Sequence, residues 1–400
     1  MSQVPLLDVN AQNHPLLEEY REAFERVMGH GQFILGPEVE AFEARMAEAV
    51  GVSHAIGVSS GTDALILALL AAGIGPGDEV ICPSFTFFAT AGAVVRVGAT
   101  PVFADVCPIC FNLDVGKAAE RVGPRARAVI PVHLFGQCAD MRAVASLAAA
   151  HDLTVIEDAA QAIGAVAHGH QAGTMGDLAA FSFFPSKNLG GFGDAGLLTT
   201  DSEALAERAR MLRVHGMKPK YHHHEVGGNF RMDALQAALL GVKAKREGGY
   251  RLARAVNAER YIERLSALPG VVVADPEHCR CPEEQAETLR ASAARIVLPV
   301  AYDHNRHVWN QFTVRVPGEG RRDSLVEHLR AKGVGCEIYY PVPLHRQRCF
   351  APLGHPPLPP CPVAEMLADE VLSLPVYPEL GAERQELVVA AVESWLCEQA

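Results

Sequence analysis

One lysine and one aspartate stand where their charges would be unfavourable without a purpose. Lys187 lies in FSFFPSKNLGGFGDAG, between a short apolar run of strand character at residues 179–184 and a turn loosened by Gly190, Gly191, Gly193 and Gly196. Pro185 stops regular pairing just before it. An amine held at a buried strand end loses hydration, which disfavours the ammonium and leaves a nucleophile able to form a Schiff base with a carbonyl. Lys187 therefore reads as the covalent anchor of an aldehyde cofactor, against the plainer reading of a solvated loop lysine. Asp158 follows the apolar strand TVI, where a carboxylate needs a partner. A protonated ring nitrogen would supply one; a cap for a helix from Ala159 onward is the alternative.

Two further turns bear on ligands. In VSSGTDALILALLAAG a strand ends in small residues that open a helix at Thr62 and Asp63. The unpaired N–H groups of such a helix start attract phosphate, and an ordinary Ser/Thr/Asp cap is the competing account. Residues 191–196 also spell GxGxxG, the dinucleotide fingerprint. That motif should close a strand and open a helix, but here it is followed by LLTT, which reads as a strand, so the match is accidental.

These residues need a scaffold, and the composition provides for one. A chain of 400 residues with 49% hydrophobic content can bury a large core, and a net charge of −12 without a basic run argues against a nucleic-acid partner. The start MSQVPLLDVN has neither a positive leader nor an apolar signal core, and no apolar run is long enough to span a bilayer; a cytoplasmic protein is expected. Ten cysteines without a secretory signal are expected as reduced thiols. Cys107-Pro-Ile-Cys110 and Cys279-Arg-Cys281 lie far apart, only one has zinc-type spacing, and the adjacent His222, His223 and His224 read as a polar loop, so no metal is expected.

The order of elements is that of an α/β fold. An arm and helix cover residues 1–30, with Leu16, Leu17, Tyr20, Phe24 and Val27 at helical spacing, and a second helix runs from Pro37 to Val50 before Gly51. From Gly75 apolar strands alternate with helices, which predicts a mostly parallel sheet covered on both faces, with ligands at the strands' carboxyl ends. Residues 215–230 are too polar and irregular for a core element, as functional loops often are. A long helical segment from Met232 to about Leu268 is expected to break near Gly248-Gly249. That break divides a large domain, 31–248, from a small α+β domain, 249–400, in which HVWNQFTVRV and CEIYYPV read as strands and 276–295 as a polar excursion.

Taken together, VSSGTDALILAL, SFTFFATAGAV, VIPVHLFGQCADM, VIEDAAQAIGA, FSFFPSKNLGGFGDAG and GGNFRMDALQAALL, in this order, resemble the DegT/DnrJ/StrS family of sugar aminotransferases from about Leu7 to Pro378. The resemblance implies pyridoxal 5'-phosphate on the aspartate-aminotransferase fold (fold type I): a three-layer α/β/α large domain and a small C-terminal domain. It implies Lys187 as the Schiff-base lysine, Asp158 on the pyridine nitrogen, Gln161 near the phenolic oxygen and Phe87 stacked on the ring. Phosphate would be held by Thr62, the Asp63 N–H, Ser182 and Asn229 of the neighbouring subunit in a homodimer with shared sites. The implied substrates are L-glutamate and a nucleotide-linked keto sugar. The loop MKPKYHHHEVGGNFRMD is similar to that of enzymes acting on 3-keto sugars, including UDP-linked ones, with Tyr221, His223, Arg231 and His307 near the sugar nucleotide. A 4-keto sugar, a dehydration reaction and a non-catalytic regulatory role are the alternatives; the dehydrating relatives replace the lysine with histidine.

Overall fold

Helices begin and end where side chains can satisfy their open backbone groups. The computed structural model describes residues 4–275, 294–353 and 360–399, and counts and absences refer to these. The chain opens with α1 (Val9–Asn13), capped by Asp8 on the Ala11 N–H at 3.0 Å, and α2 (Leu17–His30). α3 (Pro37–Val50) starts on a proline, where a missing N–H loses nothing, and stops at the left-handed Gly51. Leu16, Tyr20 and Val27 are buried as expected, while Leu17 and Phe24 remain 46% and 48% exposed.

β1 (His54–Val58) leads into α4 (Gly61–Ala71), followed by β2 (Glu79–Pro83), α5 (Ala89–Arg96), β3 (Thr100–Ala104), α6 (Val115–Ala119), β4 (Ala126–Val129), α7 (Met141–His151) and β5 (Thr154–Asp158). The small strands β6 (Val166–Ala167) and β7 (His170–Gln171) precede β8 (Leu178–Ser182), β9 (Gly196–Thr200) and α8 (Glu203–Leu212). The large sheet has the order β1-β9-β8-β5-β4-β2-β3. The neighbours from β8 to β3 are parallel, and β9 runs antiparallel to both β8 and β1. β1 is therefore parallel to β8. As a result Ser59, Ser84, Asp158 and Ser182 emerge from the same edge of the sheet, where a doubly covered sheet opens to ligands. The GxGxxG residues feed β9 and not a helix, as the sequence predicts.

The remainder contains α9 (Ala234–Ala244), α10 (Glu247–Ser266), β10 (Val271–Val273), β11 (Ile296–Leu298), β12 (Asn305–Arg306), β13 (Phe312–Arg315), α11 (Arg321–Ala331), α12 (Pro362–Glu370), β14 (Val371–Leu374) and α13 (Gly381–Glu398). Strands β10-β11-β13-β14 form a second sheet, whose core includes Tyr261, Phe312, Leu329, Val392 and Trp395. The fold is thus a mostly parallel three-layer α/β unit with a small α+β unit. Val4 bridges Val334, so the amino-terminal arm joins the small unit.

Three local expectations are corrected. The long helix breaks at residues 245–246, and Gly248 and Gly249 sit inside α10. CEIYYPV is not a strand: Glu337 alone bridges Ser373, and the rest is held by side chains. HVWNQFTVRV pairs only over β13, because Val308 and Asn310 turn their N–H groups to Gly136 O and Phe135 O at 3.0 and 2.9 Å. Residues 276–293, with Cys279 and Cys281, lie outside the described residues. Among the described residues no cluster of three His, Cys, Asp or Glu could hold a metal ion, and no helix is long and apolar enough to cross a membrane.

Candidate active site

Asp158 ends β5, and the sheet leaves it almost no water: the residue is 4% exposed. Its carboxylate accepts from Thr90 Oγ1 at 2.8 Å and from the Ala160 N–H at 3.2 Å. Burial raises its pKa; Thr90, Ala160, Lys187 and His133 pull the other way. The Ala160 contact realises part of the capping alternative. It does not neutralise the charge, so a cation opposite this carboxylate would be strongly favoured.

Lys187 follows β8 after the turn at Pro185, with its N–H on Phe184 O at 2.8 Å. The residue is partly exposed, but its amine is enclosed, and desolvation lowers its pKa to about 8 against the opposing pull of Asp158. The turn beyond Lys187 is fixed from three sides. Lys243 Nζ donates to Gly190 O at 2.7 Å, Asn188 Nδ2 donates to Val308 O at 3.0 Å, and the Phe192 N–H donates to Gln236 Oε1 at 3.0 Å. Glycine is required here because a Cβ on Gly190 would lie 2.2 Å from Pro185 O.

The start of α4 faces the end of β8. A Cβ on Gly61 would meet Ser182 Cβ at 2.7 Å, so Thr62, Asp63 and Ser182 share one small region. The Asp63 N–H is already taken by Ser60 Oγ at 3.0 Å, and the Asp63 carboxylate accepts from Ser59 Oγ at 2.6 Å. The cap reading of this turn is therefore realised, and a phosphate would use the Gly61 and Thr62 N–H groups, which have no intrahelical acceptor. Phe87 presents a ring that is 56% exposed. Gln161 is buried, accepting from the Phe135 N–H at 2.6 Å and donating to the Tyr340 hydroxyl at 3.3 Å. The Tyr340 ring lies 6.1 Å from that of Phe87.

The remaining candidates separate. Tyr221 is 77% exposed and His223 is exposed with its Nδ1 on His215 O at 2.9 Å, both on the long polar loop; Asn229 is also exposed and bridges Val214. Arg231 bridges Val58 at the end of β1, beside the phosphate-type turn. His307 is buried. It is 8% exposed, stacked on Trp309 at 3.8 Å, and accepts from the Trp309 N–H at 2.9 Å. Burial pushes its pKa down to about 3, which keeps the ring neutral. Thr90 and Tyr340 were not read from the sequence. Thr90 is one more small residue in SFTFFATAGAV, and Tyr340 was assigned to a strand that does not form.

The donor set fits pyridoxal phosphate. It combines an enclosed amine of lowered pKa, a buried carboxylate in want of a cation, an exposed aromatic face and a helix start for phosphate. The model of the DegT/DnrJ/EryC1/StrS aminotransferase family matches residues 16–393. A "Pleiotropic regulatory protein" of Geobacillus stearothermophilus is 43% identical over 97% of this chain and 97% of its own length. A UDP-N-acetyl-3-dehydro-alpha-D-glucosamine 3-aminotransferase of Acidithiobacillus ferrooxidans is 41% identical over 98% of each. The structure of NtdA from Bacillus subtilis with bound cofactor PMP superposes with a TM-score of 0.85 at 32% identity, covering 99% of this chain and 86% of that one.

Proposed function

The chain belongs to the DegT/DnrJ/EryC1/StrS aminotransferase family and is a pyridoxal-phosphate-dependent sugar aminotransferase; from that premise we propose that it transfers the amino group of L-glutamate to a nucleotide-linked 3-keto sugar. The observation that carries the reading is the enclosed Lys187 amine, with its pKa lowered to about 8, next to the buried Asp158 carboxylate. The name of the Acidithiobacillus relative, a 3-aminotransferase acting on a UDP-linked 3-dehydro sugar, supports the keto position and the nucleotide. A 4-keto sugar is the runner-up. Retention of a lysine at 187 speaks against dehydration and against a purely regulatory role.

Pyridoxal phosphate, when bound, supplies a carbonyl for amines and a protonated ring nitrogen that stabilises negative charge on the carbon losing its proton. Asp158 would hold the proton on that nitrogen, because a carboxylate buried away from water is stabilised by a cation opposite it. Lys187 would anchor the cofactor, and its amine would be at hand as the base that moves the donor's α-proton. Gln161 would lie on the ring's oxygen side, Phe87 would cover one ring face, and Thr62, Ser182 and the α4 start would hold the phosphate together with an Asn229 supplied by a second copy of the chain. Tyr221, His223 and Arg231 are assigned to the sugar nucleotide. A homodimer in the cytoplasm is the expected working form.

A visible absorbance scan tests this. Wild type mixed with pyridoxal phosphate gains a band that L-glutamate converts to that of the aminated cofactor, and a 3-keto nucleotide sugar restores the first band. Lys187→Ala abolishes the first step. A wild type that gains no band refutes the role of Lys187; a band indifferent to glutamate refutes the donor.

A further inference from the structure

The segment around Tyr340 runs along the loop that carries Phe87. The Leu344 N–H donates to Ser84 O at 2.7 Å. The Tyr340 ring lies 6.2 Å from Phe85 and 6.1 Å from Phe87, and Phe350 stacks on Phe88 at 5.5 Å. His345 sits in the middle of this contact and is buried. Its Nε2 lies 2.9 Å from Glu365 Oε1. A carboxylate only accepts, so Nε2 donates to Glu365, and the Ser84 hydroxyl lies within hydrogen-bond distance of Nδ1 at 2.5 Å.

The far end of this chain of bonds returns to the same sheet. Glu365 also accepts from Arg346 Nη2 at 2.9 Å and belongs to α12. The first N–H groups of α12, at Val363 and Ala364, donate to the Asp105 carboxylate at 3.0 and 2.9 Å. Asp105 follows β3 and Ser84 follows β2, and these strands are paired neighbours. A closed loop of hydrogen bonds thus joins two strand ends through His345.

We infer that His345 is a positioning residue for the acceptor half of the reaction: its two hydrogen bonds set the spacing between Tyr340 and Phe87 beside the cofactor site. A nucleotide-linked keto sugar, being much larger than an amino acid, depends on a wall built from both units, so a loosened Tyr340 segment weakens its binding first. This rests on the aminotransferase reading, and the test separates the two.

Ser84→Ala removes the hydroxyl's hydrogen bonds to His345 and Cys361 and keeps the Cβ in place. It raises KM for the keto-sugar nucleotide about five- to tenfold while kcat and KM for the amino donor stay within about twofold, the ratio expected for the hydrogen bonds of one hydroxyl. In the cofactor-free protein, amide hydrogen exchange at residues 84–90 and 339–346 accelerates together, while α13 keeps its protection. His345→Asn, whose amide oxygen can accept from Ser84, falls between wild type and His345→Ala. Equal rises in KM for both substrates, or faster exchange in only one of the two segments, overturn the inference. Should no keto sugar be turned over, the exchange result decides it alone.

Discussion

The Asp158 carboxylate accepts from two donors, and Thr90 is the nearer of them at 2.8 Å. Thr90→Val preserves the shape of a buried side chain and deletes that donor, leaving the Ala160 N–H. A hydrogen bond to a charged group contributes about 1.5–3 kcal/mol, so pyridoxal phosphate should bind roughly ten- to a hundredfold more weakly. Equilibrium dialysis followed by absorbance measures it; unchanged retention would mean that Thr90 is a bystander. The Lys187–Asp158 pair makes a second prediction. Desolvation lowers the amine's pKa to about 8, and the Asp158 charge works against that fall. In Asp158→Asn the opposing charge is gone, so the pKa of Lys187 drops below about 8. Chemical labelling of the amine against pH in the cofactor-free protein should show its midpoint moved to lower pH. A midpoint that stays in place, or rises, would show that the two groups do not sense each other.

At the scale of elements, the turn after Lys187 has no room to spare. Gly190→Ala would force a Cβ to within 2.2 Å of Pro185 O, and overpacking of this kind costs about 1–3 kcal/mol. Gly241→Ala, within α9 and with nothing within 4 Å of the added carbon, should instead stabilise by about 0.5–1 kcal/mol. Urea midpoints of the two variants should move in opposite directions. The same contrast between local and distant causes explains what the sequence reveals. α3 was legible to the residue because its proline start and glycine stop are local signals, and Lys187 and Asp158 were legible because apolar strands lead straight into them. CEIYYPV does not form a strand because Tyr340 is held by the distant side chains of Gln161, Phe85 and Phe87 and not by a strand partner. Gly248 and Gly249 do not break α10: they sit in its first turn, and the buried Arg254, Asn257, Ala258 and Tyr261 anchor the helix beyond them. Tyr340 meets Gln161 across 179 positions and Thr90 meets Asp158 across 68, distances that only the fold closes.

For the whole molecule, the exposed apolar side chains concentrate where the dimer proposal needs them. Leu17, Phe24 and Met28 of α2 and the neighbouring Phe33 and Ile34 are all at least 45% exposed, too many in one stretch for a free surface. Ile34 bridges Asp233, so this surface is continuous with the segment carrying Asn229 and Arg231. If a second copy covers it, each Lys187 works beside the partner's Asn229, and the consequence is complementation. Lys187→Ala lacks its anchor at both sites of a homodimer, and Asn229→Asp sets a carboxylate against the phosphate at both. Unfolding the two together and letting them reassort gives mixed dimers with one doubly defective site and one intact site. With random pairing half of the dimers are mixed and half of their sites are whole, so about a quarter of wild-type activity returns. If instead Lys187 and Asn229 serve the same site from one chain, every site in every mixture is defective and nothing returns. Phe24→Glu in both chains should abolish the recovery along with the dimer, because the charge would be buried without a partner at the centre of the contact.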